Sequence, residues 1–168
     1  IVEDLLSLGS YESGNLRLDR SRFDLQRVIS DQIGSMHMEL AGRRVVRDYA
    51  SEALVVDADA HRIGQVIRNL LTNAIKYSSA ESKITIRVYR YETEAVASVQ
   101  DEGVGIPLPA QQHVFERFYR VDNEMTGRTR GAGLGLSIST AIVQAHGGRI
   151  RFESAPGYGS IFYVALPL

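Results

Sequence analysis

The sequence predicts a two-layer α+β sandwich, with helices on one face of a mixed, mostly antiparallel sheet. Three observations predict it. Residues 60–77 place Ile63, Val66, Ile67, Leu70, Leu71, Ala74 and Ile75 at helical spacing. "KITIRVYRY" (83–91) and "EAVASVQ" (94–100) alternate and are joined by a short turn around Thr93, the pattern of an antiparallel pair. The chain closes on "GRIRFESAPGYGSIFYVALPL", which reads as a hairpin turning at Pro156 and Gly157.

The remaining elements follow in order. Residues 1–13, "IVEDLLSLGSYES", gather Val2, Leu5, Leu6 and Leu8 on one side of a short helix, with Gly14 as its stop. Isolated helices shorter than roughly 12–15 residues barely form in water, so this one reads as the end of something longer. "LRLDRSRFDL" (16–25) alternates as a strand, and Asp24 can cap a helix running towards Leu40. "RRVVRDYA" (43–50) and "ALVVDAD" (53–59) read as short strands, and 134–146 as a second amphipathic helix.

Composition restricts the setting. A chain of 168 residues suggests one domain with an appendage. The net charge of −1 offers no bulk attraction to nucleic acid or to an anionic membrane. There is no cysteine, hence no disulfide framework and no thiolate metal site. No apolar run approaches the roughly 18 residues of a membrane span, and no signal peptide is visible. The chain starts at Ile1 rather than Met, as expected of a fragment of a longer protein.

Two glycine clusters carry the functional signal. In "DEGVGIP" (101–107) a carboxylate ends a strand and flexible backbone follows at once. A carboxylate accepts hydrogen bonds and donates none, which suits an exocyclic amine such as that of adenine. Gly103 and Gly105 allow close backbone approach to a flat ring, and Ile106 can pack on its face. Taken alone, the stretch reads equally well as a plain strand-exit turn. In "GAGLGLSI" (131–138), Gly131, Gly133 and Gly135 lead straight into a helix, offering backbone N–H groups and the positive dipole end to an anion. No Gly-Lys-Ser/Thr follows, and the spacing is not that of a dinucleotide fingerprint. A flexible helix entry remains the alternative.

Two further stretches supply polar groups. In "RNLLTNAIKY" (68–77), Asn69, Asn73 and Lys76 share one helix face. An amide oxygen suits Mg²⁺, which takes its other ligands from water and substrate phosphates, and Lys76 can neutralise phosphate charge. A solvated helix face is the bland reading, though two asparagines sit oddly in a strong helix. "FERFYR" (115–120) leads into the polar loop "VDNEMTGRTR", so Arg120, Arg128 and Arg130 flank the second glycine cluster. Polar loops of this length are lids or disordered segments, and solvation explains Arg128 and Arg130 as well as phosphate contact does.

Taken in order, these stretches resemble the N box (69–77), first glycine box (101–107), F box (115–120) and second glycine box (131–138) of sensor histidine kinases. Their ATP-binding domain belongs to the gyrase, Hsp90, histidine kinase and MutL superfamily. The ending "AHGGRI…ESAPGYGSIFYVALPL" is similar to that family's closing segment, and the resemblance covers 15–168.

The resemblance implies a Bergerat-type fold holding ATP and Mg²⁺ beneath a mobile lid. By match, Asn73 is the Mg²⁺ ligand, Asn69 and Lys76 face the phosphates, and Tyr77 lines the nucleotide site. Asp101 takes the adenine amine, with Gly103, Gly105 and Ile106 around the base. Gly131, Ala132, Gly133, Leu134, Gly135 and Leu136 wrap the phosphates, and Arg120 joins Asn69 and Lys76 in serving the transfer. Glu102 stands where the family often has Asn, and Ala132 where it often has Thr or Ser, which removes a hydroxyl contact but keeps the backbone donors.

The resemblance also shapes the expected chemistry. Hydrolytic members of the superfamily carry a glutamate where this chain has Asn69, and an amide is no general base. Phosphoryl transfer needs mainly positioning and charge neutralisation. The implied acceptor is a histidine on a separate dimerisation domain. His37, His61, His113 and His146 all read as structural, so the acceptor is expected outside this chain. Residues 1–14 then read as the tail of the second dimerisation helix with its linker, and 15–168 as the catalytic domain.

Implied partners are the parent's own dimerisation and histidine-phosphotransfer domain, in a homodimer, and a downstream response regulator. No nucleic acid is expected, and the domain is expected in the cytoplasm, of a parent that can be anchored in the inner membrane. Two alternatives stand beside this reading: a serine kinase of the anti-sigma type, and a nucleotide-sensing or docking module without transferase activity.

Overall fold

The computed structural model describes residues 17–121 and 132–168. The helix expected at 1–13, the loop residues Gly127, Arg128 and Arg130, and Gly131 lie outside the described residues.

The elements run β1 (Ser21–Asp24), α1 (Leu25–Ser35), β2 (Arg44–Tyr49), β3 (Val55–Ala58), α2 (Ala60–Tyr77), β4 (Lys83–Tyr91), β5 (Glu94–Asp101), α3 (Leu108–Gln111), α4 (Gly135–Ala145), β6 (Arg149–Ala155) and β7 (Gly159–Pro167). Five strands form one sheet in the order β2-β4-β5-β7-β6. Among the described residues, only β2 and β4 pair in parallel, with Val45 opposite Ile84; the other pairs are antiparallel. A parallel pair needs a long crossover, and β3 with α2 supplies it. β1 and β3 form a separate two-stranded antiparallel sheet, with Phe23 opposite Val56.

Helix α2 spans the residues that its period predicts. Ile63, Val66, Ile67, Leu70, Leu71 and Ala74 are buried, and Asp59 caps the first turn by accepting from the Arg62 N–H at 3.0 Å. Asp24 caps α1 likewise, accepting from the Gln26 N–H at 3.1 Å. The helix expected to run towards Leu40 stops at Ser35. Met36 and Leu40 stay buried, but turns carry them, entered just past Gly34, a poor helix former. The strand expected over 16–25 is paired only at its end, because β3 supplies only Val55–Ala58 as a partner.

The helical layer covers one face of the main sheet, where Ile84, Ile86, Val88, Ala97, Val99 and Val164 meet the buried sides of α2 and α4. The other face is open. Arg87 reaches Gln100 and Asp48 there, and the Arg151 guanidinium lies 3.7 Å from the Tyr163 ring centroid. This one-sided arrangement is the two-layer sandwich that the sequence predicts. Among the described residues, no helix is long and apolar enough to cross a membrane.

Candidate functional site

The polar face of α2 meets the start of α4 and the end of β5 at two abutting cavities. The larger, about 240 Å³, is lined by Asn69 and Lys76 of α2 and by Ala132, Gly133, Leu134 and Gly135. The smaller, about 100 Å³, is lined by Asp101, Gly105, Ile106, Ser160 and Phe162. Asn73, Tyr77, Tyr119, Arg120 and Leu136 line both, so the two form one cleft. One end carries amides, cations and glycine backbone. The other carries a carboxylate among apolar side chains.

The phosphate-like end is built from two helices. Asn69 donates its Nδ2 hydrogen to Ser139 Oγ at 2.9 Å, which fastens α2 to α4 one turn beyond Gly135. A Cβ on Gly135 would lie 2.2 Å from Asn69 Oδ1, so a side chain there would displace the Asn69 amide from its place between the helices. Helix α4 begins after Leu134 without a side-chain cap, and the backbone N–H groups of a first turn have no partner within their own helix. With Lys76 and Arg120 beside it, this end favours an anion.

The carboxylate end is built from strand pairing. Asp101, the last residue of β5, faces Ser160 of β7 across the ladder and is buried, at 6% exposure. Burial pushes its carboxyl above the usual value, against the pull of the Gly103 and Ser160 backbone N–H groups. Asp101 Oδ1 accepts from the Gly103 N–H at 2.9 Å. A buried carboxylate facing a small apolar cavity still has acceptor capacity to offer.

The first glycine cluster approaches the protein's own backbone. A Cβ on Gly103 would lie 2.1 Å from the Tyr77 carbonyl oxygen, and the Val104 N–H donates to that same oxygen at 3.1 Å. Gly105 has φ +68, and a Cβ there would lie 2.1 Å from the Ala155 carbonyl oxygen. These contacts join the end of α2 to the β6–β7 hairpin and hold Ile106 at the cavity. Ile106 donates its N–H to Ser154 Oγ at 2.8 Å, and its carbonyl accepts from Gln111 Nε2 at 3.0 Å.

The cleft thus brings together Asn69, Asn73, Lys76, Tyr77, Asp101, Gly105, Ile106, Arg120, Ala132, Gly133, Leu134, Gly135 and Leu136. Among the described residues singled out by sequence, Gly103 alone lines neither cavity. Sequence reading missed Tyr119, Ser139, Ser160 and Phe162. Ser139 was within reach, four residues from Gly135 on one helix face. Ser160 was not, since only strand register sets it beside Asp101.

None of the four histidines lines either cavity. The His37 ring stands 3.1 Å from the Gly34 carbonyl oxygen, and His113 pairs with Glu116 at 2.8 Å and lies 5.1 Å from the Tyr119 ring. His61 is in the first turn of α2. His146 is buried and accepts from the Asp59 N–H at 3.0 Å, while its Nδ1 lies 2.7 Å from the Ile142 carbonyl oxygen.

The donor set also bears on Mg²⁺. Among the described residues, no group of three or more His, Cys, Asp or Glu side chains could hold a metal. Mg²⁺ that accompanies a nucleotide draws most of its ligands from phosphate and water, so a neutral amide oxygen such as that of Asn73 suits such a cation.

Known proteins share this sequence pattern and fold. Residues 58–168 match the model of the family described as histidine kinase-, DNA gyrase B- and HSP90-like ATPase. The chain is 39% identical over 168 residues to "Probable sensor histidine kinase TcrY" of Mycobacterium tuberculosis, covering 100% of this chain and 35% of that protein. It is similar in structure to Acinetobacter baumannii histidine kinase AdeS, with TM-score 0.80 and 28% identity over 99% of this chain and 76% of that one. The catalytic domain of histidine kinase ThkA superposes with TM-score 0.78 and 30% identity, covering 89% and 95% of the two chains.

Proposed function

This chain belongs to the histidine kinase-, DNA gyrase B- and HSP90-like ATPase family, and on that premise we propose that it is the ATP-binding catalytic domain of a sensor histidine kinase, residues 15–168, with 1–14 the end of the dimerisation helix and its linker. The observation that carries the reading is the continuous cleft from Asp101 to Lys76, with Asn73 and Tyr77 at the join. It has the order of a nucleoside triphosphate: base, then sugar, then phosphates.

In this reading Asp101 accepts the adenine amine, and Ile106 packs on the ring. Lys76, Arg120, the start of α4 and the 131–136 backbone receive the triphosphate. Asn73 would hold Mg²⁺, which supplies charge neutralisation at the phosphates when bound. Asn69 has its amide committed to Ser139, and an amide cannot take a proton from water. That favours transfer over hydrolysis.

The reaction is displacement at the γ-phosphorus. A ring nitrogen of a histidine on the parent's dimerisation helix attacks, the bond to the β–γ bridging oxygen breaks, and ADP leaves with that electron pair. The proton on the other ring nitrogen is lost. The chain's residues orient the triphosphate and spread its charge. Downstream, the phosphoryl group passes to a response regulator in two-component signalling. We place the domain in the cytoplasm, where that partner works, within a homodimeric parent.

Radiolabelled ATP tests the reading. The chain alone should bind ATP and remain unlabelled. Adding a polypeptide with the parent's dimerisation helices should place acid-labile label on that polypeptide. Acid-stable label on a partner serine would point to the anti-sigma type of kinase instead. Label on the chain itself would overturn the division of labour.

A further inference from the structure

We propose that Arg43 is a positioning residue for the nucleotide site, acting through the C-terminus of α2. The proposal rests on the reading of the cleft as an ATP site. A helix leaves its last four carbonyls without intrahelical donors. The residue after α2, Ser78, is extended at φ −125 and ψ 155, so no left-handed glycine closes the helix.

Three groups do so instead. Ser78 Oγ donates back to the Ala74 carbonyl at 2.6 Å, and the Tyr77 carbonyl accepts from the Val104 N–H at 3.1 Å. The third is the Arg43 guanidinium, reaching over from just ahead of β2. Its Nη2 donates to the Ile75 and Ser78 carbonyls at 2.8 and 3.2 Å. Its Nη1 donates to Ser78 Oγ at 2.9 Å and to the Ser79 carbonyl at 2.7 Å. The positive charge also opposes the negative end of the helix dipole.

The turn held in this way is the one that carries Lys76 and Tyr77 into the cleft. Through the Tyr77 carbonyl it also anchors Val104, next to Gly105 and Ile106 at the base end. One guanidinium therefore steadies a phosphate-facing cation and the base-facing loop together. An ammonium could not replace it fully, because the four acceptors are spread across two nitrogens of a planar fork. Arg43 lies outside residues 58–168, the span that the family model matches, and outside every motif of the sequence.

The test measures Mg-ATP affinity of the chain by calorimetry, with the fold followed by circular dichroism. Arg43→Ala should weaken binding about tenfold, the scale of a lost set of charged hydrogen bonds. Millimolar methylguanidinium should recover part of that loss, and Arg43→Lys should fall between. Arg87→Ala removes an arginine from the open sheet face and should leave affinity unchanged. Arg43→Ala binding within about twofold of the unmodified chain, with native dichroism, overturns the proposal, as does a loss that methylguanidinium leaves untouched. If Arg43→Ala does not fold, Arg43→Lys is read instead, and unaltered affinity overturns the proposal. Failure of the unmodified chain to bind Mg-ATP would tell against the ATP site itself, before any variant is made.

Discussion

Asn69 and Ser139 stand 2.9 Å apart, amide to hydroxyl, and that bond joins the two helices that form the anion end of the cleft. Gly135 packs against the same amide, with no room for a Cβ. Gly135→Ala should therefore push Asn69 off Ser139, destabilise the fold by about 1–3 kcal/mol and weaken nucleotide binding. The cause can be isolated. In an Asn69→Ala background the cost of Gly135→Ala should shrink, and urea melts of the four proteins measure the coupling. Strictly additive costs would mean that the clash lies elsewhere.

Asp101 predicts opposite effects on binding and on stability. Asp101→Asn should weaken ATP binding by about 1–3 kcal/mol, the scale of a lost charged hydrogen bond. GTP, with an oxo group at the matching position, should bind far worse than ATP to the unmodified chain. Equal affinities in calorimetry would remove Asp101 from the base.

The stability effect follows from linkage. Burial raises the folded-state pKa of Asp101 above its unfolded value, so at a pH between the two the folded chain keeps a proton that the unfolded chain has released. Stability contributed by this group is present below the unfolded pKa of about 4 and is lost as pH rises through the folded value. Without nucleotide, Asp101→Asn should then match the unmodified chain in acid and melt higher at pH 7. Thermal scans across that range check it, and a variant less stable at pH 7 contradicts it.

Asn73→Ala should abolish the tightening of nucleotide binding by Mg²⁺ and keep the native dichroism. The ratio of affinities with and without the metal is the readout. An unchanged ratio would mean that another group holds the cation.

His146 ties the start of α2 to the end of α4, because one ring nitrogen accepts from Asp59 and the other donates to Ile142. These partners require the neutral ring with hydrogen on Nδ1. His146→Ala should cost about 1–3 kcal/mol for the buried N–H left unpaired. His146→Gln keeps an acceptor at the same reach and should lose less. Equal losses in urea melts would show that packing, not the Asp59 bond, is what the ring supplies.

The sequence by itself determined the features that repeat or complete themselves within a few residues. The period of α2, the Asp24 cap, the alternation of β4 and β5 and the two glycine clusters are of this kind, as is the order of motifs that identifies the family. Each depends on neighbours one helical turn or one hairpin away, so pattern alone specifies it. The tertiary structure decided what depends on partners far along the chain. Strand register sets Ser160 beside Asp101, the parallel pairing places β2 against β4, and β1 leaves the main sheet to pair with β3. Arg43 reaches the end of α2 across 32 residues, and Asn69 reaches Ser139 across 70. An arginine before a strand has no local signature of this duty, because the acceptors it meets exist only once the layers have packed. Gly103 shows the same limit from the other side. Its pattern suggests a ligand, yet the atom that excludes a side chain there is the carbonyl of Tyr77, brought into contact by the fold.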